Sequence, residues 1–240
     1  MLLRNINRAI KEYTKKPILF AWTVIISIIL NFIAIGAVAG AFLVVYYALA
    51  IMEMGDVPLL IYSLISVLFI TYLVIMNGLK GALINSLKGI TKKQQPSITY
   101  FFKYAIQRGS VFFSITLLKL VFSAIFIIPI YLLYQNVLLP MEIPHLELIF
   151  SIVVAGIVFI IEFPFSYTYI SAAVNEYGVI NSLRASLRFL RKRGLSAFGI
   201  YIVYAIVWTT LFVPLLNIVS ILVLYPIVYT AMILLYEGNK

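Results

Sequence analysis

Lys119 and Glu162 are the side chains that chemistry would use first, because both fall deep inside long apolar runs. Lys119 stands ten residues past Gly109, and Glu162 eleven residues before Ala173. At ~1.5 Å per helical residue, each is ~15 Å or more from the same basic end of its helix, near mid-membrane. A lone charge at such depth costs at least ~2.5–3.5 kcal/mol on insertion scales, so a partner or a water-filled cavity is expected. Three readings stay open: an ion pair fastening two antiparallel spans, a polar centre on a substrate or proton path, or a Lys119 that reaches back to the interface along its own stem. Pro164 follows Glu162 by two residues, and Pro129 follows Lys119 by ten. Proline removes a backbone donor and loosens the helix around it. Transporter sites use such interruptions, so Lys119, Glu162 and Pro164 form the candidate intramembrane polar site.

A second set of residues suits binding rather than reaction. Between Val179 and Arg193, Ile180, Leu183, Leu187 and Leu190 fall on one helical face, and Arg184, Arg188, Arg191 and Lys192 on the other. Such a helix lies in the membrane interface, its apolar face among acyl chains and its basic face toward anionic headgroups or a cytoplasmic partner. It is either an anchor that sets topology or a surface for lipid or partner.

Catalytic sets are missing from the sequence. There is one His, His145, one Asp, Asp56, and no Cys, so no cluster of His, Cys and carboxylates offers a metal site. No GxxxxGK[ST], HExxH or GxSxG motif occurs. Glu12, Glu176 and Glu237 read as solvated carboxylates beside the basic segments. A protein that is not an enzyme, with no cofactor and no metal, is the expectation.

The elements that hold these residues are long apolar helices. Of 240 residues 64% are hydrophobic and 11% charged, far more apolar surface than a soluble domain of this size can bury. Of 18 Lys and Arg, 17 fall in four stretches: Arg4 to Lys16, Lys80 to Arg108, Arg184 to Arg193, and Lys240. The connections on the other side carry Glu53, Asp56, Glu142 and Glu147 with no Lys or Arg. This alternation predicts an all-α, polytopic bundle of the cell (cytoplasmic) membrane, with the basic loops and both termini cytoplasmic. The net charge of +10 is read as topology signal and contact with anionic lipid, not as nucleic-acid binding. The polar, basic first 16 residues and the long run after them do not read as a cleavable signal.

Residues 1–240 are expected to form a single integral membrane domain. An interfacial helix over 1–16 precedes six transmembrane helices at about 17–52, 58–77, 111–133, 146–173, 195–212 and 218–236, with basic cytoplasmic segments at 80–108 and 179–193. The first run, ~54 Å as a helix, either projects beyond the bilayer or bends near Gly36 and Gly40. Those glycines form a GxxxG among alanines, which predicts close packing inside the bundle or a homo-oligomer contact. Asn31 and Asn77 predict inter-helix hydrogen bonds. Each odd-numbered span follows a basic segment ending in a breaker, at Pro17, Gly109 and Gly194. Leu83-Ile84-Asn85-Ser86-Leu87-Lys88 also resembles Val179-Ile180-Asn181-Ser182-Leu183-Arg184. Three hairpin repeats of like orientation would explain both features.

The stretch Tyr169 to Arg193 joins a span to an amphipathic helix through Glu176 and Gly178, then carries Arg184 and Ser186 two apart. It resembles the corresponding junction of the six-span membrane-domain family named after glycerophosphoryl diester phosphodiesterases. That family places Glu-x-x-Gly there, whereas Gly178 comes one place early. Catalysis in the named enzymes resides in a separate soluble domain lacking here, so the resemblance implies the membrane topology and not the activity. Six spans behind a basic N-terminus also look like permease subunits of export ABC transporters. The Pro-x-[Asp/Glu]-x-x-[Lys/Arg] signature of mitochondrial-type carriers is absent. The functional expectation is a non-enzymatic integral membrane protein that binds or passes a small or lipid-like molecule. The alternative is a scaffold or permease-type subunit that docks a cytoplasmic partner, such as an ABC ATPase, through its basic helices.

Overall fold

Proline and serine set the helix starts. Pro17 and Pro58 stand at first helical positions, where the missing N–H costs nothing and φ is preset. Ser97, extended at φ −116° and ψ 149°, accepts from Tyr100 N through its side chain and caps the next helix. The computed structural model describes residues 2–51, 58–92, 97–141, 144–210, 213–214 and 216–238. Glu53, Asp56, Glu142, Lys93, Lys240 and the expected span ends at Met52 and Phe212 lie outside the described residues. The helices are α1 (Leu2–Lys15), α2 (Pro17–Ile51), α3 (Pro58–Thr91), α4 (Ile98–Leu133), α5 (Leu146–Asn175), α6 (Val179–Thr210), α7 (Leu216–Val219) and α8 (Tyr225–Glu237). Among the described residues there is no strand.

Five helical segments are long and apolar enough to cross a membrane: Pro17–Tyr47, Ile65–Thr91, Ile98–Met141, Leu146–Asn175 and Leu216–Glu237. The protein is therefore membrane-embedded and helical. The segment expected as the fifth span lies inside α6, behind a break at Arg193 (φ −134°, ψ 20°). Its described part, 195–210, is shorter than the ~20 residues a hydrocarbon crossing takes.

Burial divides the bundle into two tiers. The basic tier is packed: Ala82, Ile84, Leu87 of α3, Phe101, Phe112, Ile115 of α4, Tyr167 to Val174 of α5 and Val228 to Tyr236 of α8 are buried together. The apolar tier is splayed, with Leu120 to Leu133 of α4, Leu148 to Ile160 of α5 and Phe32 to Tyr47 of α2 largely exposed. Exposed aliphatic and aromatic side chains in such numbers suit acyl chains, not water. The run Ile98–Met141 spans ~66 Å as a helix, about twice the hydrocarbon thickness, so the packed tier supplies the part that stands beyond it.

Several expectations change. Helix α3 runs on past 77 and α4 begins before 111, so the two helices continue through the basic segment as one tightly packed pair. Gly109 is no breaker. It lies inside α4, where a Cβ would stand 2.9 Å from the Val74 carbonyl oxygen, and at Gly78 a Cβ would collide with the Ala105 carbonyl. These two glycines let the backbones approach. Gly36 and Gly40 have nothing within 4 Å of a built Cβ, so the GxxxG is not packed within the described chain, and α2 runs as one helix past it. The Asn31 and Asn77 amides donate to Ser27 O and Leu73 O of their own helices, though Asn77 also reaches across to α4. Helix α1, expected at the interface, also makes protein contacts. It packs on α8 and α6, burying Ala9, pressing Leu2 against Gly199 and donating from Tyr13 OH to Leu222 O at 3.2 Å.

Candidate functional site

Three helices converge where the packed tier meets the splayed one. From α4, Lys119 Nζ donates to Glu162 Oε2 of α5 at 2.7 Å. Each side chain keeps 23% of its surface exposed, so the pair is not sealed. One turn inward, Thr116 Oγ1 lies 2.5 Å from both Asn77 Oδ1 of α3 and Tyr169 OH of α5. A hydroxyl donates once. With Asn77 Oδ1 able only to accept, the chain runs from Tyr169 O–H to Thr116 and from Thr116 O–H to Asn77.

Tyr169 is held between two neighbours. Phe112 stacks on it at 6.2 Å with an interplanar angle of 6°, and Lys80 Nζ sits 3.8 Å from its ring centroid. Lys80 joins the centre through that ring, whose hydroxyl bonds to Thr116, one turn from Lys119. The centre thus carries two ammonium groups and one carboxylate, with a cation–π contact in place of a second carboxylate. Spacing makes this possible: Asn77 and Lys80, like Thr116 and Lys119, are three apart on one helical face, while Glu162 and Tyr169 are two turns apart.

Pro164, the third expected member, works elsewhere. Its carbonyl accepts from Thr168 Oγ1 and from Ser186 Oγ, each at 3.0 Å. The Ser186 bond docks the first half of α6 onto α5, supported by Phe189 on Tyr167 at 5.0 Å. That half-helix buries Ser182, Ser186 and Phe189, and of the aliphatic face read from the sequence Leu190 packs on the core and Leu183 is half-buried. Ile180 (72%) and Leu187 (53%) remain exposed. It therefore has a packing face, an aliphatic face turned outward and a basic face.

Arg184, Arg188, Arg191 and Lys192 are all exposed, and none has a carboxylate partner among the described residues. Arg188 and Lys192 line a cavity of about 210 Å³ with Asn175, Tyr177 and Tyr236. On the aliphatic side, Leu183 and Leu187 close an apolar groove of about 420 Å³ whose walls include Phe122 and Phe126 of α4 and Ile157 and Phe165 of α5. Phe122 is one turn from Lys119, and Phe165 one turn from Glu162.

Other basic residues do structural work. Helix α5 ends in the protein interior, where its last carbonyls need donors. Arg108 donates to Ala172 O (3.5 Å) and Tyr177 O (2.7 Å), Tyr104 OH to Ala173 O (3.4 Å), and Lys88 to Val174 O (2.7 Å). Two cations at a helix C-terminus also oppose its dipole.

Sequence reasoning missed Lys80, Thr116 and Tyr169. Lys80 looked like one more cytoplasmic cation. The available signal was its three-residue offset from Asn77, matched by that of Thr116 and Lys119. Among the described residues no group of three or more His, Cys, Asp or Glu comes together. Compared with protein-family models, curated proteins and solved structures, the chain matches none.

Proposed function

We propose that this is a non-enzymatic integral membrane protein that binds or passes a small or lipid-like molecule at the centre formed by Asn77, Lys80, Thr116, Lys119, Glu162 and Tyr169. The observation that carries this reading is the Lys119–Glu162 pair left partly open where the packed tier meets the splayed one. A pair left open in this way is within reach of a polar or charged group that a sealed pair would exclude. Six crossings complete the reading, the 195–212 segment returning against Leu216–Glu237. Both termini and the basic tier then face the cytoplasm of a cell whose plasma membrane holds the protein. Three like hairpins and kinship with the six-span membrane-domain family belong to the same proposal.

A second reading rests on the row Arg184, Arg188, Arg191 and Lys192, exposed and without carboxylate partners. It suits anionic headgroups or an acidic cytoplasmic partner, such as an ABC-type ATPase, or a second copy of this chain. Mass spectrometry of the protein purified natively in nanodiscs separates the two. A co-purifying solute or lipid lost in Glu162→Gln supports the first. A stoichiometric protein lost when the four cations are neutralised supports the second. A preparation with no solute, no partner and no lipid beyond the general lipid of the disc in every variant would remove the basis for both.

A further inference from the structure

The centre has one cation more than its carboxylate can balance. Lys119 is satisfied by Glu162 at 2.7 Å. Lys80 has no carboxylate or hydrogen-bond acceptor among the described residues, only the Tyr169 ring at 3.8 Å. An ammonium has three donors and no acceptor, so Lys80 presents donors beside a partly exposed ion pair. The apolar groove of about 420 Å³ begins one helical turn away, at Phe122 and Phe165. It lies where the residues of α4 and α5 turn from buried to exposed. Charge excess and adjoining groove match the two ends of one kind of molecule. Resting on the binding reading above, we propose that Lys80 and Lys119 hold the oxyanion of a single-chain amphiphile, a carboxylate or phosphate monoester, whose hydrocarbon chain lies in the groove between α4, α5 and the first half of α6.

Charge complementarity selects the head. A cationic head would add repulsion from two ammonium groups, and a neutral one would leave the excess charge uncompensated beside the buried Tyr169 ring. The groove selects the tail, since its walls at Phe122, Phe126, Ile157 and Leu187 are apolar. Glu162 limits the site to one anion by already occupying Lys119 on one side.

Thermal unfolding of the purified protein in a non-ionic detergent tests this, with decanoate, decyl phosphate, acetate, inorganic phosphate, decanol and decyltrimethylammonium as probes. Decanoate and decyl phosphate should raise Tm saturably. Lys80→Gln should weaken their apparent affinity roughly 10- to 100-fold, the loss expected for one charge-assisted hydrogen bond, while Lys80→Arg largely preserves it. If Lys80→Gln fails to fold, Leu187→Ser reports instead, because it should weaken decyl phosphate and leave any response to inorganic phosphate unchanged. Acetate and inorganic phosphate acting as strongly as their decyl counterparts would overturn the amphiphile. Decanol or decyltrimethylammonium matching decanoate would overturn the oxyanion, yet leave intramembrane binding standing. No response to any probe would overturn both.

Discussion

Lys119 Nζ meets Glu162 Oε2 at 2.7 Å across α4 and α5, forty-three residues apart in sequence. Removing one partner strands a charge, whereas removing both strands none at that pair. Lys119→Met and Glu162→Gln should each lower the unfolding temperature, and the double variant should recover part of the loss. The coupling energy from the four-member cycle should fall at ~0.5–3 kcal/mol, toward the lower part because each side chain is 23% exposed. Additive losses would mean that the two side chains do not interact.

Gly78 and Gly109 should tolerate no larger side chain. A Cβ at either meets a backbone carbonyl of the partner helix, and backbone cannot swing away as a side chain does. Gly78→Leu and Gly109→Leu should cost well over ~1–3 kcal/mol, the usual penalty of overpacking, visible as lost monodisperse protein on size exclusion. Gly36→Leu and Gly40→Leu, with open space around them, should behave as ordinary surface changes within about ±0.5 kcal/mol. If the GxxxG pair proved the more sensitive, a partner would have to cover α2.

Lys88 caps the end of α5 at Val174 O, and Arg108 reaches Ala172 O and the Tyr177 carbonyl just past the helix. Lys88→Met leaves a half-buried carbonyl without its charged donor, at a cost of about 1.5–3 kcal/mol, and Arg108→Met costs less, because its shorter bond is to the exposed Tyr177 carbonyl. Hydrogen exchange should localise the loosening to the last turn of α5 and the Asn175–Val179 link. Protection unchanged there would show that solvent or headgroups replace these donors freely.

Glu176 holds φ 56° and ψ 28° just after α5, a left-handed conformation that glycine adopts without steric cost. Its side chain is exposed. Glu176→Gly should therefore raise stability by ~1 kcal/mol, read as a higher Tm in detergent. Glu176→Val should lower it. A destabilising Glu176→Gly would assign the carboxylate an electrostatic role that outweighs its backbone.

The topology is open to direct labelling because the chain has no native Cys. Single cysteines at Glu147 and Asn217 should react with an impermeant maleimide from outside intact cells, and at Thr91 and Arg188 only after lysis. The Asn217 result decides whether the 195–212 segment crosses. Inside labelling there, with Glu147 outside, would make that segment re-entrant.

The sequence by itself determined class and punctuation. Charge confined to alternate connections and runs of apolar residues identify a helical membrane protein, and Pro17 and Pro58 open helices where the apolar runs were expected to begin. Depth counting along the spans also brought Lys119 and Glu162 to one level. Which faces touch was decided by tertiary structure alone. Lipid and protein core are equally apolar, so the 3.6-residue alternation that separates buried from exposed faces in water is nearly erased here. Leu187 and Leu87 look alike in sequence, yet one is exposed and the other buried. Small residues mark where helices are able to approach, not where they do: Gly78 and Gly109 are in contact, Gly36 and Gly40 are not. Basic residues behave the same way. Lys80, Lys88 and Arg108 read as one cytoplasmic stretch, and only the antiparallel packing of α3 and α4 against α5 sends the first to a tyrosine ring and the others to carbonyls. A long cation takes whichever partner lies within reach of its stem, and that reach is fixed by helix neighbours far away in the chain.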